Sequence, residues 1–281
     1  MTNKTKLNFI FGYKAQQIYL SNFYNTFAKK LGIDKEYIFV ERSVAPNDLS
    51  KAIMSIKLLD VCSVSVMSPY KSEVIDYLDD VDSAAMMIGS VDTVLNKNSI
   101  LTGYNTDWLG ILFSLANCFD VNIKNIHHVP RFLEDKKMGL VGLGYSTNSL
   151  VYAAIAAGCE IMIFDQNQKD VENLIKYYKE LLPLSSIKYV DIKMIKSICA
   201  CDIIVNCTIA NNQLEVSPIP MEHLSKDHCV IDFADNENNT MFIKEAQSRG
   251  CRIISKSNVI GKQNAFQFEL QTGHKVEVRH H

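Results

Sequence analysis

Apolar and polar positions along the chain alternate between two regimes. Leu7–Phe11 is a short apolar run closed by Gly12, the pattern of a buried strand. Phe23, Phe27 and Leu31 then recur at helical spacing, and Gly32 follows as a stop. Tyr37–Val40 reads as a strand. Asn47 is placed to cap a helix carrying Leu49, Ile53 and Ile56 on one face. Val61–Val66 reads as a strand broken by Ser68-Pro69, with a helix expected from about Lys71. Strands separated by helices imply a mainly parallel sheet. A helix striped with Trp108, Ile111, Leu112 and Leu115 is expected from about Thr106. The stretch Asp120–Lys137 has little periodicity and reads as a linker. From Met138 the strand–helix rhythm resumes, with strands expected at 138–142, 160–165, 202–206, 229–233 and 251–255, and a last helix at 259–272. The pattern as a whole is α/β in two domains.

Composition narrows the partners. The 281 residues are 47% hydrophobic and 21% charged, with a formal net charge of -2, the balance of a globular protein with an ample core. No basic surplus exists to hold phosphate backbones, so nucleic acid is not an expected partner. No apolar run is long enough for a membrane span, and the first residues lack the apolar core of a secretory leader. None of the eight cysteines has the CxxC spacing of a zinc or redox motif. They read as buried, reduced thiols of a cytoplasmic protein, and no metal is expected.

Met138–Asn167 carries the clearest chemistry. An apolar strand runs into Gly142-Leu143-Gly144, a helix opens at Tyr145-Ser146-Thr147, and a second apolar strand ends at Asp165. This layout suits a dinucleotide. Gly142 permits a tight turn, Gly144 a close backbone approach to a pyrophosphate, and the helix N-terminus offers its N–H groups to that anion. Asp165 can accept from a ribose diol. A carboxylate there repels a 2′-phosphate, and Gln166 follows where an arginine would serve NADP, so NAD is favoured over NADP. The third glycine of the motif is replaced by Thr147.

Three further segments extend the picture. Ser65-Val66-Met67-Ser68-Pro69-Tyr70-Lys71, Gly89-Ser90-Val91-Asp92-Thr93 and Gly103-Tyr104-Asn105-Thr106-Asp107-Trp108-Leu109-Gly110 follow one another in order. With Asp202–Thr208, Val230–Asn236 and the Gln263–Gly273 stretch, they make the chain resemble the shikimate and quinate dehydrogenases over nearly its whole length. The resemblance implies a mainly parallel α/β substrate domain at 1–115 and a Rossmann-type NAD(P) domain at 116–255. It also implies that 256–281 returns to the first domain. Lys71 and Asp107 match the family's catalytic pair. Ser65, Asp92, Asn105, Thr106, Asp235 and Gln263 fall at substrate-contact positions. Gly142, Gly144, Tyr145, Ser146, Asp165, Gln166 and Thr208 fall along the expected cofactor path.

The implied activity is reversible hydride transfer between a nicotinamide and a ring alcohol, with a small molecule as the only required partner and a homodimer left open. The alternatives are a shikimate dehydrogenase of aromatic biosynthesis and a catalytically silent binder of nucleotide or metabolite. The chain departs from the family at several contacts. Ile18 and Leu20 stand where two serines grip the substrate carboxylate, Ser65 and Met67 replace asparagine and threonine, Asp92 replaces asparagine, and Asp235 replaces tyrosine. Lost donors of this kind are costly for a ligand built to use them. The expected substrate is therefore a relative of shikimate or quinate, with an amino-substituted ring among the candidates.

Overall fold

The computed structural model describes residues 5–13, 18–208, 217–233 and 240–276, but not the side chains of Ile18 and Tyr19. The chain forms two compact units. One runs to Thr106 and resumes at Asn264; the other is Asp107–Gln263.

The first unit contains β1 (Lys6–Gly12), α1 (Ile18–Lys30), β2 (Tyr37–Ser43), α2 (Leu49–Leu58), β3 (Ser63–Val66), β4 (Asp80–Val81), α3 (Ser83–Ile88), β5 (Thr93–Lys97) and β6 (Ile100–Tyr104). The sheet order is β2-β1-β3-β5-β6-β4. Strands β2, β1 and β3 are parallel, whereas β5 runs antiparallel to both β3 and β6. The sheet is thus mixed, because β5 and β6 form a hairpin. The hairpin turns through Asn98 and Ser99, both at positive φ, which asparagine tolerates better than most residues.

Two local expectations are corrected here. The segment after Pro69 is a turn and a short 3₁₀ stretch at Glu73–Tyr77 rather than a helix from Lys71. The Lys71 carbonyl is taken by the Val91 amide at 2.6 Å, so it cannot serve a helix of its own. Asn47 lies inside a 3₁₀ turn at Pro46–Asp48, and α2 starts beyond it, still burying Leu49, Ile53 and Ile56.

The second unit contains α4 (Asp107–Cys118), β7 (Lys137–Val141), α5 (Thr147–Ala156), β8 (Glu160–Asp165), α6 (Gln168–Leu181), β9 (Ile187–Asp191), β10 (Ile203–Asn206), β11 (Cys229–Asp232), α7 (Met241–Ser248) and β12 (Arg252–Ile254). Its sheet is wholly parallel in the order β12-β11-β10-β7-β8-β9. This is the doubly wound order of dinucleotide-binding folds, with its switch point between β7 and β10. The strand β9 was not anticipated; its polar alternation in Ile187–Asp191 suits a half-buried edge. The stretch expected as a linker forms no helix or strand before Lys137, where β7 begins, but buries Ile123 and Leu133.

The last helix, α8 (Lys256–Thr272), begins in the second unit and ends in the first. Phe268 is fully buried with Ile10, Leu20, Tyr24, Ala28, Tyr37 and Phe39, so the end of α8 completes the first unit's core. Its beginning packs on α4 across Gly110. A Cβ at Gly110 would stand 2.6 Å from the Val259 carbonyl oxygen and 2.9 Å from the Gln263 Cβ. This glycine of the 103–110 motif is therefore required by helix packing. Gly110→Ala should destabilise the protein by about 1–3 kcal/mol through overpacking, although alanine is the better helix former by about 1 kcal/mol. A lower urea midpoint at unchanged slope would show it; an unchanged midpoint would mean that α4 and α8 separate freely.

Candidate active site

The candidate residues divide between the two units. In the first unit, Lys71 is half-buried beside the turn that its carbonyl anchors to Val91. Asn105 is buried and donates through its amide to the Ser90 carbonyl at 3.0 Å and to the Ser90 hydroxyl at 2.8 Å. Those bonds bind the segment after β6 to the loop before β5.

Asp92 is only 1% exposed. Its carboxylate accepts the Thr93 hydroxyl at 2.6 Å, the Thr106 amide at 2.6 Å and the Thr106 hydroxyl at 3.1 Å. Gln267 of α8 donates to the Asp92 carbonyl at 2.7 Å and to the Thr93 hydroxyl at 2.7 Å. The Tyr24 hydroxyl donates in turn to the Gln267 side-chain oxygen. Burial, and then the nearby Asp92 charge, hold the Tyr24 hydroxyl well above its ordinary pKa, so this donor keeps its proton. Ser65 accepts from the Gln271 amide at 2.9 Å in the same buried layer. Sequence reasoning missed Tyr24, Gln267 and Gln271. The signal was present as two glutamines one helical turn apart on a face that also carries buried Phe268.

Leu20 is 6% exposed within the aromatic core, so no polar group stands at that position. The side chain of Ile18 and all of Asp235 lie outside the described residues.

In the second unit, Asp107 opens α4 and is half-buried, and Trp108 behind it packs edge-on against Tyr152 of α5 at 5.1 Å between rings. Gln263 is half-buried on α8 at the Gly110 crossing. The glycine loop sits at the switch point. Gly142 has φ +82°, and a Cβ there would meet Thr208 Cα at 2.9 Å. A Cβ on Gly144 would lie 2.3 Å from the Cys207 carbonyl oxygen. The close approach predicted for Gly144 is thus already made to the chain's own backbone, where β10 ends.

Thr147 takes the third glycine's place and is buried at the first turn of α5, while Ser146 precedes it and Tyr145 is 90% exposed at the loop tip. Asp165 ends β8 and accepts the Asn167 amide at 2.7 Å; Gln166 is exposed beside it. Thr208 bonds to the Asn206 side-chain oxygen through its amide at 3.0 Å and its hydroxyl at 2.8 Å. Asn206 donates to Asp232 at 2.9 Å, and Thr240, the N-cap of α7, donates to the other Asp232 oxygen at 2.5 Å. This chain, also unforeseen, fixes the carboxyl ends of β10 and β11.

The donor set suits a dinucleotide. A positive-φ glycine, a helix N-terminus and a carboxylate ending the next strand meet at the switch point, where Cβ atoms would block the loop. Among the described residues, no group of three His, Cys, Asp or Glu could hold a metal, and no helix is long and apolar enough to cross a membrane.

Residues 10–94 match the shikimate dehydrogenase substrate binding domain. The chain is 30% identical over 251 residues to a shikimate dehydrogenase (NADP(+)) of Geobacillus kaustophilus, covering 89% of this chain and 86% of that protein. It is similar in fold to the quinate dehydrogenase of Corynebacterium glutamicum in complex with NAD, with TM-score 0.83 and 22% identity over 96% of this chain and 95% of that one. It is likewise similar to the shikimate 5-dehydrogenase of Listeria monocytogenes in complex with shikimate and NAD, with TM-score 0.82 and 21% identity over 98% and 94% of the two chains.

The buried network makes a prediction of its own. Asp92→Ala strands the Thr106 amide and hydroxyl and the Thr93 hydroxyl, and should cost about 2–4 kcal/mol. Asp92→Asn retains an acceptor oxygen for Thr106 and should lose less than half as much. Equal losses, measured by denaturant unfolding, would refute the hydrogen-bond account.

Proposed function

Since the chain belongs to the shikimate and quinate dehydrogenase family, we propose that it is an NAD(P)-dependent oxidoreductase. It moves a hydride reversibly between the nicotinamide and a secondary alcohol of a shikimate- or quinate-related ring. The observation that carries this reading is the switch-point glycine cradle of the second unit, in a chain that also keeps Lys71 and Asp107 within their matched motifs. The cofactor, when bound, supplies the hydride acceptor. Lys71 takes the hydroxyl proton during oxidation and returns it during reduction, and Asp107 orients the amine and the reacting hydroxyl. Asn105, Thr106 and Gln263 are proposed to line the substrate, with Asp235 as a further candidate. Gly142, Gly144, Tyr145, Ser146 and Thr208 are proposed to cradle the pyrophosphate.

Ser65 and Asp92 are proposed to act differently from plain contacts, as holders of the segment that carries Asn105 and Thr106, whose side chains are themselves bonded to Ser90 and Asp92. Both are buried and bonded to protein donors, so they shape the site from behind. Asp92 therefore supplies no spare charge for an amine, which weakens the case for an amino-substituted ring. The core position of Leu20 favours a substrate other than shikimate, because a carboxylate clamp needs a hydroxyl or amide donor.

Asp165 and Gln166 favour NAD over the 2′-phosphate of NADP. A homodimer and a cytoplasmic location accord with such an enzyme and form part of the proposal.

Initial rates with NAD or NADP, against shikimate and quinate, test the reading. Lys71→Ala should lower kcat by about 10²–10⁴-fold while cofactor still binds. Cofactor binding without Lys71-dependent turnover on either acid or related ring alcohols would leave a silent binder. Asp165→Ser should raise kcat/KM for NADP relative to NAD by about tenfold, the equivalent of roughly 1.4 kcal/mol. An unchanged ratio would remove Asp165 from cofactor choice.

A further inference from the structure

A second chemistry lies at the other end of the second unit's sheet. Cys118 is the last residue of α4 and Cys229 the first of β11, and their Sγ atoms are 3.0 Å apart. Cys229 is fully buried, whereas Cys118 is half-buried and lines a cavity of about 400 Å³ together with Ser114, Asn117, Arg252, Asn258 and Lys262. Cys229 pairs in register with Ile203, and Ile203 with Met138, four residues before Gly142. At roughly 3.3 Å per residue the thiols lie about 13 Å down the sheet from the glycine loop. They belong to a different site.

The cavity is cationic. Arg252 begins β12 in register beside Cys229 and donates to the Cys118 carbonyl at 3.0 Å. Its guanidinium also stacks over the Phe119 ring at 4.8 Å, which fixes it next to the thiol. Lys262 is the second cation. The Asn117 amide, oriented to satisfy both of its ends, donates to the Phe113 carbonyl and accepts from Lys262 Nζ at 2.8 Å.

We propose that Cys118 is a hydroperoxide-reactive thiol and Cys229 its resolving partner, so that the two close a reversible disulfide at the wall of this cavity. The proposal does not depend on the dehydrogenase reading. The hydrogen bond from Cys229, aided by Arg252 and opposed by burial and Asp120, brings Cys118 down to about 7, while the same pairing and burial push Cys229 up. Cys118 thus holds the thiolate and Cys229 the proton.

The steps balance. The Cys118 thiolate attacks the terminal oxygen of the hydroperoxide, the O–O bond breaks, and the alkoxide or hydroxide leaves with a proton from solvent. Cys118 is oxidised by two electrons to the sulfenic acid and the peroxide is reduced. The Cys229 sulfur then attacks the sulfenic sulfur, an S–S bond forms, and the S–O bond breaks. The departing hydroxide leaves as water with the Cys229 proton. Four other cysteines, Cys159, Cys201, Cys207 and Cys251, are pushed up by burial and offer no such thiolate. Cys199 is exposed, which corrects the expectation that the cysteines are buried and makes it an internal control.

The reduced full-length chain is treated with hydrogen peroxide at neutral pH, its remaining thiols are alkylated, and its peptides are mapped by mass spectrometry. The expected product links the Cys118 and Cys229 peptides with the loss of two hydrogens, and dithiothreitol reverses it. Cys118 should react at least about tenfold faster than Cys199. Cys229→Ser should accumulate a dimedone-trapped sulfenic acid at Cys118, and Arg252→Gln should slow the reaction of Cys118 several-fold. Oxidation of Cys199 ahead of Cys118 in the unmodified chain would overturn the proposal. So would a disulfide joining Cys118 or Cys229 to any other cysteine.

Discussion

The Asp92 carboxylate is the interaction on which the first unit depends. A charge with 1% exposure is expensive unless its oxygens are all engaged. Here they are met by the Thr93 hydroxyl and by the amide and hydroxyl of Thr106. Gln267 then joins the same backbone to α8, and Tyr24 joins Gln267 to α1. Through its carboxylate and its own backbone carbonyl, Asp92 thus binds a strand start, the segment leading into Asp107 and the terminal helix. The network is costly to satisfy in part, and this specifies one arrangement of Thr106 among many that burial alone would allow.

Sequence made the second unit legible because its regularities are local. Apolar runs of strand length, glycines at the turn and an acid at the next strand end predicted β7 and β8 to within a residue, and the start of α5. The first unit was harder beyond Val66. Its β4 has two residues, its 3₁₀ stretch five and α3 six, too short for any periodicity to register. The Lys71 segment was read as a helix because nothing in its own residues announces that Val91, twenty positions on, takes its carbonyl. Pairing of that kind is tertiary information.

The glycines show how one pattern can serve two masters. The sequence assigned Gly144 to a pyrophosphate, yet its Cβ would strike the Cys207 carbonyl even without any ligand. Gly110, in a motif read for chemistry, is demanded by Val259 and Gln263 on α8. The residue type reports only that something comes close. In both places the closeness is between parts of the fold itself, and the candidate site inherits its geometry from that packing.

The departures from the family pattern also fall into one physical account. Ser65 and Asp92 differ from the asparagines of the family pattern; the Ser65 hydroxyl accepts from Gln271 of α8, and the Asp92 carboxylate accepts from Thr93 and Thr106. Both side chains are therefore partners in a bonded interior. Leu20 belongs to the same interior, seated with Tyr24 and Phe268 in the core on which that polar layer rests. A hydroxyl at Leu20 would have to enter an aromatic cluster, where it is penalised when unpaired. Packing in the first unit thus opposes a polar side chain at Leu20, and the constraint that keeps this position apolar is the one that stabilises the unit.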